Sequence, residues 1–128
     1  MGATLVRIDH VQLAMPVGAE EAAEAFYGGL LGLHVVAKPE PLASRGGRWF
    51  SADPADPTAV ALHLGADPDF RPATKAHPAI VVVGLDALVG RLGDAGVALR
   101  WDDELPGVRR CHVLDPWGNR IELIDACR

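Results

Sequence analysis

The chain has 128 residues, of which 49% are hydrophobic and 23% are charged, as expected for one soluble domain that buries a core. It carries 12 Lys and Arg against 17 Asp and Glu, a formal net charge of −5. An acidic balance argues against nucleic acid and against an anionic membrane surface, because both favour basic faces. A small-molecule partner stays compatible with it, since a local arginine cluster can override the total charge.

The cysteines and the N-terminal segment indicate a cytoplasmic protein. Cys111 and Cys127 form no CxxC motif and no disulfide framework, so we expect free thiols in a reducing compartment. The first residues run into a predicted strand without the basic and apolar regions of a signal peptide. The most apolar stretch, residues 79–90, is too short to span a bilayer and contains Asp86.

The first half of the chain is expected to contain one helix and four strands. Pro16 and Gly18 end the first strand, and the glutamate-rich run after them favours a helix, which Gly32 stops. The pattern predicts a strand over residues 6–15, a helix over 19–27, and strands over 33–37, 47–52 and 58–64.

The second half repeats this order. A β-branched run predicts a strand over residues 77–83, and helical spacing predicts a helix over 85–95, followed by strands over 97–101, 108–114 and 120–125. Pro116 and Gly118 predict a tight turn between the last two strands. We therefore expect one α+β domain over residues 1–128, made of two βαβββ modules, about 5–64 and about 77–126, joined by residues 65–76.

Four side chains that suit a metal occupy matching places in the two modules. His10 and His77 lie in the first strand of their modules, and His63 and Glu122 lie in the last strand. Imidazole and carboxylate together suit Zn, Ni, Fe or Mn. The pseudo-two-fold arrangement predicts that these four residues hold one divalent cation. His34 and His112 have no repeat partner and are not assigned to the site.

Strand alternation supports this interpretation, because residues of like parity share one face of a sheet. Each of the three histidines shares its face with small or polar residues, while bulky aliphatic residues fill the opposite faces. The sharing residues are Gln12 and Ala14 beside His10, Ala59 and Ala61 beside His63, and Ala79 beside His77. Alanines around imidazoles indicate the wall of a cavity.

Four basic residues are candidates for binding an anionic substrate. Strand parity favours Arg48 and Arg120 as inward-pointing side chains, since Arg120 shares parity with Glu122. Arg71 and Lys75 lie on the inter-module segment beside His77 and could close over the cavity.

Three segments resemble the vicinal oxygen chelate superfamily, the glyoxalase, bleomycin-resistance and extradiol dioxygenase group. They are Ile8-Asp9-His10-Val11, His77-Pro78-Ala79 and Asp115-Pro116-Trp117-Gly118-Asn119-Arg120-Ile121-Glu122. The resemblance covers nearly the whole chain. It implies an open cup of curved sheet with helices outside, a metal inside the cup, and His10, His77 and Glu122 as ligands.

The resemblance leaves several activities open. Glyoxalase I enzymes carry a glutamate where this chain has His63, which argues against glyoxalase I itself. Fosfomycin-resistance members use a His-His-Glu triad, and extradiol dioxygenases use two histidines and one glutamate on Fe(II). We expect a metal-dependent lyase, isomerase, thiol transferase or dioxygenase acting on a small oxygenated molecule.

The alternative is a non-catalytic protein of the same fold that sequesters a drug or metabolite. Members of the family pair their modules within one chain or exchange them between two chains. A homodimer is the expected assembly.

Overall fold

The computed structural model describes residues 2–127. The first module contains β1, a short helix α1 that continues as a π-helical segment, and three further strands. Its elements are β1 Val11–Met15, α1 Glu20–Ala23, the π-helical segment Glu24–Leu30, β2 His34–Val36, a 3-10 turn Leu42–Arg45, β3 Arg48–Ser51 and β4 Ala61–Ala66.

The second module follows the same order, so the predicted α+β fold of two βαβββ units is confirmed. Its elements are β5 Ala79–Val82, α2 Leu85–Asp94, β6 Leu99–Asp102, β7 Arg110–Leu114 and β8 Arg120–Asp125.

Each module forms a four-stranded mixed sheet with the same topology. The strand orders are β1-β4-β3-β2 and β5-β8-β7-β6, and the first strand of each module pairs in parallel with the last. Gln12 lies opposite His63 in the first sheet, and Ala79 lies opposite Glu122 in the second. The two modules therefore share their strand register as well as their order of elements.

The first strand is shorter than predicted. The sequence predicts a strand from residue 6, but β1 begins at Val11 because β4 offers partners only from Leu62 onwards. The preceding residues pair with no strand of the described chain. Their side chains are strongly exposed, at 100% for Leu5, 86% for Val6 and 77% for Ile8.

The first helix is longer than predicted. It runs to Leu30 because the π-helical segment carries it through Gly28 and Gly29. Its buried residues are Ala23, Phe26 and Tyr27, which recur at the three- and four-residue spacing of one helical face.

One hydrophobic core holds the two modules together. It combines the faces of the two sheets that carry bulky aliphatic residues with one side of each helix. Its members include Leu13, Met15, Phe50, Leu62 and Leu64 from the first sheet, Cys111, Val113, Ile121 and Leu123 from the second, and Tyr27, Leu85 and Leu92 from the helices. Since strand residues alternate between faces, the histidine-bearing face of each sheet points away from this core.

A buried polar network adds a second connection between the modules. The fully buried side chain of Asn119 donates from Nδ2 to the carbonyl of Ala14 at 2.8 Å and accepts from the amide of Ala73 at 2.9 Å. It also donates to Asp115 Oδ2 at 2.8 Å, which accepts a 2.7 Å bond from the Tyr27 hydroxyl. The turn before β8 is thereby tied to β1, to the inter-module segment and to the first helix.

Between residues 2 and 127, no helix has the length and apolar character needed to cross a membrane.

Replacing Tyr27 by Phe should lower the free energy of unfolding by about 1–3 kcal/mol, because it removes one hydrogen bond to a buried carboxylate. Urea unfolding followed by circular dichroism measures the change. Ser44→Ala is the matched control, since it deletes an exposed hydroxyl that bonds only the carbonyl of Pro41. Equal stability of the two variants would contradict a role for the network in joining the modules.

Candidate metal centre

Three potential ligands meet on the polar face of the second sheet. His77 lies just before β5, His112 lies in β7, and Glu122 lies opposite His112 in β8. One donor atom from each lies within 4.8 Å of the others. His112 and Glu122 are 6% and 7% exposed, so the two strand residues are largely removed from water.

His77 is oriented by a backbone carbonyl. Its Nδ1 lies 2.7 Å from the carbonyl oxygen of Lys75, which can only accept, so Nδ1 carries the proton. The other nitrogen, Nε2, lies 2.9 Å from Glu122 Oε1. Nε2 either donates a second proton to Glu122 Oε1 or, without that proton, turns a lone pair towards it. The close approach is stable only with a proton or a metal cation between the two atoms.

Glu122 is held as a carboxylate. Burial alone would raise its pKa, but hydrogen bonds from His77 and Arg110 outweigh burial and hold the pKa of Glu122 below its usual value. Arg110 Nη1 donates to Oε2 at 3.0 Å, and this leaves Oε1 to face His77. The carboxylate is therefore charged and fixed in rotation, as a metal ligand requires.

His112 has both ring nitrogens engaged. Arg120 Nε donates to Nδ1 at 3.1 Å, and since a guanidinium cannot accept, the proton of the neutral ring sits on Nε2. Nε2 then donates to Asp102 Oδ2 at 3.0 Å. The amide of Glu104, together with His112, lowers the pKa of Asp102. In this arrangement His112 lies edge-on to His77, with ring centroids 5.7 Å apart, and has no free lone pair of its own.

Sequence reasoning left His112 unassigned because it has no histidine partner in the first module. Its repeat-equivalent residue is Trp49, which lies opposite His63 as His112 lies opposite Glu122. The β7–β8 turn is the sequence feature that could have identified His112. A hairpin centred on Trp117 places residues 112 and 122 opposite each other on one face.

The first sheet carries the other two predicted ligands. His63 stacks between two rings, with centroids 4.0 Å from His10 and 4.1 Å from Trp49. His10 Nδ1 lies 2.8 Å from Asp9 Oδ2. Burial and the neighbouring His10 lower the pKa of His63 to about 4. His63 is therefore neutral at neutral pH, with a lone pair available to a cation.

The four predicted ligands divide into two pairs within one chain. His10 and His63 lie on the first sheet and His77 and Glu122 on the second, and neither of the first two belongs to the group of converging donors found among residues 2–127. A cavity of about 740 Å³ separates the free edges of β1 and β5, and both His10 and His77 line it. Whether all four residues bind one ion stays a prediction.

The structure corrects the expected orientation of Arg48. Its Nε donates to Glu24 Oε1 at 3.0 Å on the helix-facing side of β3. Directly opposite residues share a face, and His63 lies opposite Trp49, so the neighbouring Arg48 points the other way.

Of the other three basic candidates, Arg120 and Lys75 contact the histidines of the second module. Arg120 shares the face of Glu122 as predicted, since it contacts His112. Arg71 and Lys75 are exposed on the inter-module segment, where the Lys75 carbonyl serves His77. A role for any of these side chains in substrate binding stays a prediction.

Stability should depend on pH through His63. Below about pH 6.5 the unfolded imidazole takes a proton that the folded one refuses until about pH 4, so stability falls as the pH falls through this window. Urea unfolding across this range, with chelator present, should show a shallower decline for His63→Phe, which keeps a ring in the stack. Parallel curves for wild type and variant would contradict the lowered pKa.

Comparisons with known proteins agree with this geometry. Residues 7–123 match the Glyoxalase/Bleomycin resistance protein/Dioxygenase superfamily. No curated protein matches the chain significantly. Among solved structures, a protein from Bacillus anthracis assigned to the glyoxalase family is 42% identical, covers 98% of both chains and superposes with a TM-score of 0.88.

Two further structures show how widely the fold is used. An antibiotic-binding protein from a Streptomyces species is 25% identical, with 97% and 98% of the two chains covered and a TM-score of 0.68. The fosfomycin resistance protein FosX from Listeria monocytogenes is 14% identical, with 96% and 95% covered and a TM-score of 0.71, and shares the fold. From its sequence match and its two βαβββ modules, the chain belongs to the Glyoxalase/Bleomycin resistance protein/Dioxygenase superfamily.

Proposed function

We propose that the protein is a metal-dependent enzyme acting on a small molecule with adjacent oxygens. Its ligands are His77 and Glu122 of one copy, with His10 and His63 of a second copy. The observation that carries the proposal is the 2.9 Å approach of His77 Nε2 to an ionised Glu122, with His77 Nδ1 tied to a backbone carbonyl. A hydrogen bond from Nδ1–H to a carbonyl is the usual support of a metal-binding histidine.

The donor set fits a divalent cation. Two donors about 2.1 Å from one ion and at right angles to each other are about 3 Å apart, close to the 2.9 Å between His77 Nε2 and Glu122 Oε1. Imidazole and carboxylate ligands suit Zn, Ni, Fe or Mn. The protein therefore offers one half of a metal site that needs further donors.

A second copy of the chain is the best source of these donors. Each histidine-bearing face points away from the core of its own chain, so a second copy can reach it. The free edge strands β1 and β5 favour pairing. Exposed apolar residues beside them, Leu5, Val6 and Val83 among them, favour burial in an interface.

The chain's own residues explain how such a site would be prepared. Arg110 holds Oε2 of Glu122, and Lys75 holds Nδ1 of His77, so little reorganisation accompanies binding. A bound metal supplies Lewis acidity that polarises the adjacent oxygens of a substrate. Lyase, isomerase, thiol transferase and dioxygenase chemistry all use this property in the family, and the substrate decides among them.

Replacing His77 by Ala should reduce bound metal to about a tenth or less of the wild-type content, because it removes the oriented imidazole. Mass spectrometry of metals in protein purified without chelators, then exposed to Ni, Zn, Mn and Fe in turn, measures the content. His34→Ala is the matched control, since His34 is an exposed histidine in β2. Equal metal content in the two variants would exclude His77 as a ligand.

Mixing two inactive variants tests whether the site is shared between chains. His10→Ala and His77→Ala should each lack metal, and unfolding and refolding them together should restore about a quarter of the sites, because each heterodimer has one intact site. Light scattering gives the mass of the assembly on the same samples. A monomeric mass, or no recovery of metal after mixing, would place both histidines in one chain's site or exclude His10.

A non-catalytic binding protein is the second candidate. The likeness to a Streptomyces antibiotic-binding protein, at 25% identity over nearly the whole chain, favours it. So does Trp49, whose indole lies on the polar face of the first sheet, where it stacks on His63. Saturable binding of a planar drug without metal, together with a melting temperature that no metal changes, would favour this function over the first.

A further inference from the structure

The polar faces of the two sheets carry repeat-equivalent cavities with different linings. In the second sheet a cavity of about 290 Å³ is lined by Arg100, His112 and Arg120 with three small or aliphatic residues. In the first sheet a cavity of about 180 Å³ has a mainly apolar and aromatic lining that includes Val36, Trp49 and Ala61, together with His63 and the acidic residues Asp9 and Asp56. The two lie at the same place in their modules.

The strand register shows which residues of the two cavities are equivalent. Arg100, His112 and Glu122 form one row across β6, β7 and β8. The corresponding row across β2, β3 and β4 is Val36, Trp49 and His63. Ala61 occupies the place of Arg120, since each lies two residues before the last-strand ligand position. The second module therefore has two guanidinium groups where the first has an isopropyl and a methyl group.

These two arginines differ from the arginines around them in lacking acidic partners. Arg48, Arg109 and Arg110 all pair with carboxylates. Among residues 2–127, no carboxylate forms an ion pair with Arg100 or Arg120. The nearby carboxylate of Asp102 is already shared by Arg110 and His112.

Arg120 is also held in position. Its Nε and Nη2 lie 3.1 and 3.2 Å from the two nitrogens of the buried His112 ring, which orients the guanidinium along the cavity wall. Arg100 is exposed and lies opposite His112. One hydrogen-bonded and one exposed guanidinium on a shared cavity can together bind the oxygens of an anion.

We propose that the Arg100–Arg120 cavity binds the anionic group of the substrate, a carboxylate or a phosphate, while the Val36–Trp49 cavity receives its apolar part. The substrate is then an amphipathic organic anion. As a statement about substrate, this rests on the proposed function of the same site. The anion site itself lies within one module and needs neither metal nor a second copy.

The sheet geometry sets the spacing that such a substrate needs. Neighbouring strands lie about 4.8 Å apart, so the backbone of Arg100 is about 10 Å from that of Glu122. Long arginine side chains reach back across part of this distance. The anionic group is therefore separated by several bonds from the oxygens that approach Glu122 and His77.

Calorimetric titration of chelator-treated protein with inorganic phosphate and with benzoate tests the proposal. Wild type should bind at least one of them saturably, and Arg100→Gln and Arg120→Gln should each weaken that binding about tenfold or more. Arg45→Gln, which removes an exposed arginine from the 3-10 turn, is the control and should bind as wild type does. Phosphate binding alone indicates a phosphorylated substrate, and benzoate binding alone indicates a carboxylate.

The Arg120→Lys variant tests whether weaker anion binding reflects the missing guanidinium or a disturbed structure. It keeps the charge but removes the planar fork, so it should bind more weakly than wild type and more tightly than Arg120→Gln. Thermal unfolding of every variant shows whether the fold is retained. If Arg120→Gln does not fold, the exposed Arg100→Gln variant and Arg120→Lys decide the question.

The possible results distinguish a failure of the anion site from a failure of the proposed metal site. No saturable binding of either anion, or binding that both arginine variants keep, would overturn the anion site. Metal content is measured on a portion of each preparation taken before the chelator treatment. Wild type that binds no metal but binds anions through Arg100 and Arg120 would overturn the metal proposal alone, and the reverse result would overturn the anion site alone.

Discussion

The buried amide of Asn119 joins β1, the inter-module segment and the turn before β8 through three hydrogen bonds of 2.8–2.9 Å. Its partner carboxylate, Asp115, is in turn bonded by the hydroxyl of Tyr27 from the first helix. None of these groups has access to bulk water to replace a lost partner, so the network demands one relative placement of the two modules. The aliphatic faces of both sheets then share one core, and the polar faces must point outward.

This placement puts the predicted ligands of one chain on two different sheets. The first module carries His10 and His63, and the second carries His77 and Glu122 with His112 beside them. Under the proposed function, a second copy with exposed edge strands would provide the further donors. Divided sites of this kind couple metal binding to association, because neither half holds enough donors alone. The same division lets the two walls of the cup differ, with guanidinium groups on one side and an indole on the other.

Much of the site could be predicted from local pattern. The repeat, the parity of the strands and the turn around Trp117 identify His77 and Glu122, which the structure places 2.9 Å apart. The alternation of side chains also predicts correctly that Arg120 lies on the same face of the sheet as Glu122. It misplaced Arg48, because the true start of β3 and its register against β4 depend on strand pairing rather than on composition. The repeat does not identify His112, because the equivalent position in the first module carries Trp49, which is not a metal-binding side chain.

The amino-acid sequence by itself determined the order of elements, the fold class and the face of the sheet on which the strand residues His63 and Glu122 lie. These follow from alternation, helical spacing and turn residues, which act over a few positions along the chain. Only the tertiary structure decided which ligands meet, that His77 is oriented by the Lys75 carbonyl, and that Arg100 and Arg120 share one cavity. Those facts depend on register between distant strands and on how one core aligns two sheets, and no local pattern encodes them.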